Sequence, residues 1–189
     1  MSSLNNISTY LNKRGISGPW KIELPFNRTF NQAIVIPAYS EFKFLSQTLE
    51  SINKNKSELL HQTLVAVVIN NTNNSPQSVK ENNQLTLKKL NGNNYQFTYV
   101  VIDATSSKLE LSFKHAGVGL ARKIGMDLVL PHLISPKNLI FCTDADTKVS
   151  PDYLSKVTQY FDSYNTSAAV IGFDHLQSED SALNDAIGK

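Results

Sequence analysis

The sequence predicts an α/β fold: an open, mostly parallel sheet with helices on both faces. Three observations carry that reading. Runs that are apolar at nearly every position, AIVI (33–36), LVAVVI (64–69) and FTYVVI (97–102), mark strands buried on both sides, as parallel sheets require. Between them stand stretches whose apolar residues recur at helical spacing, and such alternation builds parallel sheets through crossover units. Each strand run also ends in polar residues, at 37–41, 70–72, 103 and 144–146. In a parallel sheet those ends share one rim.

Residues 1–31 read as an N-terminal extension, with a short helix near residues 7–11 and Gly15, Gly18, Pro19 and Pro25 keeping the rest irregular. Trp20, Ile22, Leu24 and Phe26 alternate with polar residues or Pro25, the pattern of an edge strand or of side chains laid over the core. The first strand, 33–36, stops at Pro37. A helix is expected next, with Ser40 as its cap and Phe42, Leu45, Leu49 and Ile52 on one face. The second strand, 64–69, runs into NNTNNSP (70–76), whose composition is that of a turn.

The helix after that turn opens at Ser78, with Glu81 completing a capping box and Leu87 and Leu90 toward the sheet; Asn82 and Asn83 weaken it. After a turn at 92–94 the third strand, 97–102, ends at Asp103. A loop over 104–114 leads to a strongly periodic helix, with Val118, Ala121, Ile124 and Leu128 on one face, closed before Pro131. The fourth strand, 140–143, meets an acidic turn. Ser150 and Pro151 then offer an N-cap and first residue for a helix bearing Leu154, Val157, Phe161 and Tyr164, and AAVIGF (168–173) reads as a fifth strand.

Length and composition bound the function. At 189 residues the chain can bury one sizeable core. A net charge of +2 from balanced acids and bases gives no electrostatic footprint for nucleic acid or an anionic membrane. No run approaches the ~18 apolar residues of a membrane span, and the N-terminus lacks a signal-peptide core, so the expected location is cytoplasmic. The single Cys142 excludes an intramolecular disulfide, and with scattered His61, His115, His132 and His175 it makes no zinc pattern. Inside an apolar strand it reads as a small buried hydrophobe.

The densest chemistry lies in LIFCTDADTKVSP (139–151). Asp144 and Asp146, two residues apart where a buried strand leaves the sheet, can share a hard divalent cation and leave positions for a substrate phosphate. Chance gives about 0.4 such triplets in a chain with this many Asp residues. The alternative is a solvated turn before a capped helix. Convergence of the four post-strand turns on one rim supports the first reading. The glycines of GVGLAR (117–122) make no dinucleotide fingerprint, since the third glycine is absent and the preceding loop is long; they read as a close approach of helix and sheet. Neither a phosphate loop of the G-x-x-x-x-G-K-[ST] type nor a G-x-S-x-G elbow occurs.

Taken together in order and spacing, IVIPAYSE (34–41), VVINNT (67–72), GVGLARKIG (117–125) and CTDADT (142–147) resemble the nucleotide-sugar-binding half of the family 2 glycosyltransferases. The likeness covers about residues 33–173. It implies a nucleotide-diphospho-sugar transferase, A-type fold, with residues 32–189 as the domain that binds a UDP- or GDP-linked sugar. Pro37, Ala38, Tyr39 and Glu41 match the loop that lies against the nucleoside. Asn71 falls where the family has an Asp that hydrogen-bonds the base, and an amide offers a donor as well as an acceptor. Arg122 matches an arginine bordering the donor site, with Lys123 in place of an asparagine; the pair either neutralises phosphates or belongs to a solvated, salt-bridged helix face. Asp144 matches the ribose contact and Asp146 the ligand of Mn2+ or Mg2+, with Asp144 and Asp146 together as the metal pair. Ala145 between them and Asp103 on the rim complete the candidate set.

The implied reaction is metal-dependent transfer of the sugar to an acceptor, the ion stabilising charge on the leaving diphosphate. The family's general base lies well downstream, in an acceptor-binding half that the chain is too short to hold. No catalytic residue is therefore assigned, and Asp174 and His175 read as structural or solvated. The expected domain is truncated, with self-association through the truncated edge as a consequence. The rival reading is a non-catalytic nucleotide-sugar-binding or protein-interaction module. A sugar-nucleotide pyrophosphorylase is disfavoured, because PAYSE stands where a G-x-G-T-R-type loop is required.

Overall fold

The structure is a computed structural model that describes residues 3–24, 28–90, 94–114, 116–133 and 138–174. Among the described residues four strands form one sheet, and every pairing is parallel. β1 (Gln32–Ala38) lies between β2 (Thr63–Asn70) and β4 (Leu139–Cys142), and β3 (Thr98–Ala104) flanks β2, giving the order β3-β2-β1-β4. All seven residues of β1 and all eight of β2 are buried, which is why those runs are apolar on both faces.

Alternate side chains of the strands feed two cores. Ile34, Ile36, Val65, Val67 and Ile69 face α2 (Leu45–Ile52), α3 (Ser57–Leu60), α4 (Gln77–Leu90) and the start of α6 (Tyr153–Ser163), which contribute Leu45, Leu49, Ile52, Leu60, Leu90 and Leu154. Ala33, Val35, Leu64, Ala66 and Val68 face α5 (Val118–Val129), through Ala121, Ile124 and Val129. Trp20, Ile22 and Leu24 pack over this second core without forming a strand; Phe26 lies outside the described residues. The open parallel sheet with helices on both faces is thus observed.

The first strand does not stop at Pro37. The β1 backbone alternates its hydrogen-bonding sides, and Val35, whose carbonyl accepts from the Thr143 N–H at 3.2 Å, faces β4. Pro37, two residues on, faces the same way, where the β4 ladder has already ended at the Val35–Cys142 pair. No partner awaits the N–H that proline lacks, so β1 continues beside β2 to Ala38.

Helix α5 reaches the sheet at a glycine other than those singled out from the sequence. A side chain at Gly119 would meet nothing, and Gly117 is needed for its φ of 144° at the helix N-terminus. Gly125 is the close approach: a Cβ there would lie 2.4 Å from Cγ1 of Val35 and 3.0 Å from Cγ2 of Val68.

The extension is built into the domain through one buried acid. α1 (Ser3–Arg14), longer than the helix expected, sends the Tyr10 hydroxyl to Oδ1 of Asp127 at 2.9 Å, while the Ile16 N–H donates to Oδ2 at 2.8 Å. Lys123 completes the set with an ion pair to Asp127 at 2.7 Å. An aspartate only 3% exposed requires such partners.

By compactness the chain divides into Met1–Thr158 and Gln159–Lys189. In the second unit Tyr160 stacks at a tilt on Tyr164, ring centres 4.7 Å apart. Residues 168–173 form no strand; Val170 is fully exposed and Phe173 is 83% exposed. An apolar, β-branched run becomes a strand only where a neighbouring backbone takes its hydrogen bonds, and no ladder among the described residues includes this one. No helix among the described residues is long and apolar enough to cross a membrane.

The Gly125 contact gives a stability prediction. Valine methyls cannot swing aside as a long side chain would, so Gly125→Ala should destabilise the fold by about 1–3 kcal/mol in chemical denaturation. Unchanged stability would show that α5 can lift from the sheet without cost.

Candidate functional site

Along the sheet the chain steps one way from β1 to β2 to β3, then returns to the other side of β1 for β4. Loops leaving the strands on either side of such a reversal diverge, and a crevice opens beyond their carboxyl ends. Here it is a cleft of about 730 Å³, within the range of small-molecule sites. Its walls come from the end of β1 (Pro37, Tyr39, Glu41), the turn after β2 (Asn70, Asn71, Thr72, Asn74, Ser75, Pro76), the entry to α5 (Phe113, Ala116, Gly117, Val118, Arg122) and the acidic turn (Asp144, Ala145, Asp146).

Eight of the residues expected from the sequence therefore meet in one place: Pro37, Tyr39, Glu41, Asn71, Arg122, Asp144, Ala145 and Asp146. Three do not line the cleft. Ala38 is buried, its carbonyl accepting from Asn70 Nδ2 at 3.0 Å. Lys123 points back to Asp127 and to the Arg14 carbonyl, holding α1. Asp103 faces a different hollow, beside Trp20 and Tyr99. Its carboxylate accepts from the Thr105 N–H and hydroxyl, both at 2.8 Å, and from the Ser106 N–H and hydroxyl. Burial opposes its ionisation, but those hydrogen bonds prevail and hold its pKa below the usual carboxylate value.

The acidic turn is held by α2. The Thr48 hydroxyl donates to the Ala145 carbonyl at 2.7 Å, and Ser51 Oγ accepts from the Val149 N–H at 3.0 Å. Asn55, in the bend between α2 and α3, accepts from the Leu154 N–H at 2.9 Å, so the cap of α6 comes from a distant loop and not from Ser150, whose hydroxyl turns to Asp152. Asp144 forms an ion pair with Arg122. The Nε of Arg122 is buried without a hydrogen-bond partner. Cys142, expected inside, is exposed, because β4 is an edge strand and its last residue faces outward; burial of the sulfur against its neighbours still pushes the thiol pKa up.

Glu41 joins this end electrostatically. Burial, and behind it the charges of Asp146 and Asp144, raise its pKa above the ordinary glutamate value. Asp144 and Asp146 carry oxygen donors of the kind that a hard cation takes. Among the described residues no group of three or more acidic, histidine or cysteine side chains is placed to hold a metal ion.

At the other end stands an amide cluster missed in the sequence. Asn83, on α4 and only 1% exposed, accepts from the Ser40 N–H at 2.9 Å and donates to the Asn70 carbonyl at 2.9 Å and to Asn71 Oδ1 at 3.0 Å. Asn82 accepts from the Phe42 N–H at 3.1 Å. The loop after β1 is thus pinned to α4, with Ser40 at φ 64°, and Ser40 does not cap α2, which starts at Leu45 after a turn. Asn71 is itself 1% exposed, its Nδ2 donating to the Thr72 carbonyl at 3.2 Å. The available signal was two asparagines inside an otherwise good helix, a residue type that sits there when its side chain bonds elsewhere.

The cleft therefore has two unlike ends. The side after β4 carries Asp144, Asp146 and Arg122. The side after β2 carries amides, hydroxyls, Pro76 and two exposed rings: Tyr39, whose hydroxyl lies 3.5 Å from Ser75 Oγ, and Phe113, two residues past the Thr72–Leu111 bridge.

The chain matches no protein-family model and no curated protein. It is similar to two solved structures of S. aureus TarS 1-349. One, without a named ligand, has a TM-score of 0.48, and the other, in complex with UDP-GlcNAc, has 0.47. Both are 16% identical over 79% of this chain. The chain spans 39% and 38% of the length of those proteins.

Two predictions test the site's construction. Asn83→Ala leaves a buried N–H and two acceptors without their partner and should cost at least about 2 kcal/mol in denaturant unfolding; a smaller loss would mean that water replaces the amide. Glu41 has a raised folded pKa, so its contribution to stability is full below the ordinary value of 4.5 and is lost as pH rises through the folded value. Glu41→Gln should therefore gain melting temperature relative to the parent between about pH 4 and about pH 7. Parallel pH profiles for the two proteins would rule out the repulsion.

Proposed function

We propose that the cleft binds a nucleoside diphosphate sugar and that the chain supplies the donor-binding part of a metal-dependent transfer of that sugar to an acceptor. The observation that carries this reading is the division of one cleft into a flat, uncharged end and a charged end. A nucleoside needs planar contact and neutral hydrogen bonding. A diphosphate needs positive charge, and among the described residues that line the cleft Arg122 is the one cation, set with Glu41, Asp144 and Asp146. That end is net negative, so a diphosphate enters only together with a cation.

Asp146 and the Asp144 oxygen not paired with Arg122 would hold Mg2+ or Mn2+. When bound, such an ion supplies Lewis-acid stabilisation of the charge that collects on a departing diphosphate. The residues of this chain do the rest of the binding work. Arg122, its Nε buried and unpartnered, stands to pair with phosphate oxygens. Thr48 and Ser51 fix the backbone of the acidic turn, so that the carboxylates meet the ligand without reorganising.

Calorimetric titration of UDP and of GDP, each with and without Mn2+, tests the proposal. Binding of at least one nucleotide should require the metal, and Asp146→Ala should abolish that dependence while circular dichroism and melting temperature stay unchanged. Nucleotide binding that ignores both the metal and the substitution would overturn the assignment. Slow hydrolysis of a UDP- or GDP-sugar by the wild-type chain would favour an enzyme over a binding module.

A further inference from the structure

Phe113 is 73% exposed and belongs to neither hydrophobic core, yet it lines the cleft. The backbone beside it is tied down. Leu111, two residues earlier, is 2% exposed, pairs with Thr72 and donates its N–H to the Asn71 carbonyl at 2.9 Å. Four residues later Gly117 adopts a φ of 144° and starts α5. The fold thus anchors the segment to the floor of the cleft on the β2 side and leaves the ring outside every core. A phenyl ring offers no hydrogen bond and no charge; what it offers there is a flat face.

We infer that Phe113 is the stacking platform for the nucleobase and sets the affinity of the cleft for the nucleoside. The inference rests on the donor-site reading above and adds to it the residue that grips the base. Two features favour a planar ligand over a general apolar one. The cleft wall after β2 carries amides and hydroxyls, from Asn70, Asn71, Thr72, Asn74 and Ser75, which suit a heteroaromatic edge. The second exposed ring of the cleft, Tyr39, stands on the same β2 side through its approach to Ser75. Stacking is tolerant of base identity, because every base has a π-face, so Phe113 supplies affinity and little discrimination.

The test compares wild type, Phe113→Ala, Phe113→Leu and Phe113→Trp for binding of UDP, GDP and inorganic pyrophosphate, all with Mn2+. Because the ring is exposed, all three variants should melt with the wild type. Phe113→Ala should weaken UDP and GDP by about tenfold and leave pyrophosphate unchanged. Phe113→Leu should resemble Ala, and Phe113→Trp should bind as tightly as wild type or tighter. Wild-type affinity in Phe113→Ala or in Phe113→Leu, or an equal loss for pyrophosphate, overturns the stacking role. If wild type binds pyrophosphate with Mn2+ but neither nucleotide, the donor-site reading falls and the inference with it; if wild type binds nucleotides and Phe113→Ala matches it, only the inference falls.

Discussion

The site exists because the two neighbours of β1 are of unequal length. β2 stays in register as far as the Ala38–Ile69 pair, whereas β4 leaves after Val35–Cys142. For the last three residues of β1 one side of the backbone is laddered and the other is open. Pro37 sits on the open side, where a missing N–H costs nothing, and the departing chain of β4 carries its acidic turn away from β1. The cleft is the space between a ladder that continues and one that has stopped. Proline at that position also prevents the open side from recruiting another strand.

Around that gap the helices do two jobs with two sets of residues. Leu45, Leu49 and Ile52 of α2 fill the core, while Thr48 and Ser51 on the same helix and Asn55 in the bend after it reach the backbone of the acidic turn and of α6. α4 divides in the same way, with Leu87 and Leu90 on the sheet and Asn82 and Asn83 on the loop after β1. Buried polar groups of this kind contribute modestly when paired and are costly when orphaned. Their effect is to fix the loops: alternative loop positions would strand an amide in the core.

That split explains what was legible in the sequence. Two-sided apolar runs announce β1, β2 and β3, since only a parallel sheet buries both faces, and the post-strand turns then had to share a rim. The same logic assigned a fifth strand to 168–173, but apolarity reports only a wish for burial and not the presence of a partner ladder. Cys142 misled for the same reason: its run is apolar, but the strand lies at an edge. Side-chain destinations were hidden wherever a polar residue on one element serves another far along the chain. Asn83 reaches back 43 residues to Ser40, and Lys123 faces α1 instead of the cleft that its neighbour Arg122 enters.

Asn71 is where the sequence parts from the family it resembles, and the geometry shows why an amide stands there. The orientation of Asn83 is fixed by backbone groups that can act in only one sense: the Ser40 N–H must donate to it and the Asn70 carbonyl must accept from it. Its remaining N–H therefore donates, and the atom of Asn71 that meets it must be an acceptor. The other end of Asn71 faces the Thr72 carbonyl, which can only accept. Position 71 thus requires one acceptor and one donor, which an amide provides and an ionised carboxylate does not. An aspartate would set two lone pairs against each other in a site 1% exposed. Asn71 is a pin between two walls of the cleft, with both its ends engaged by protein.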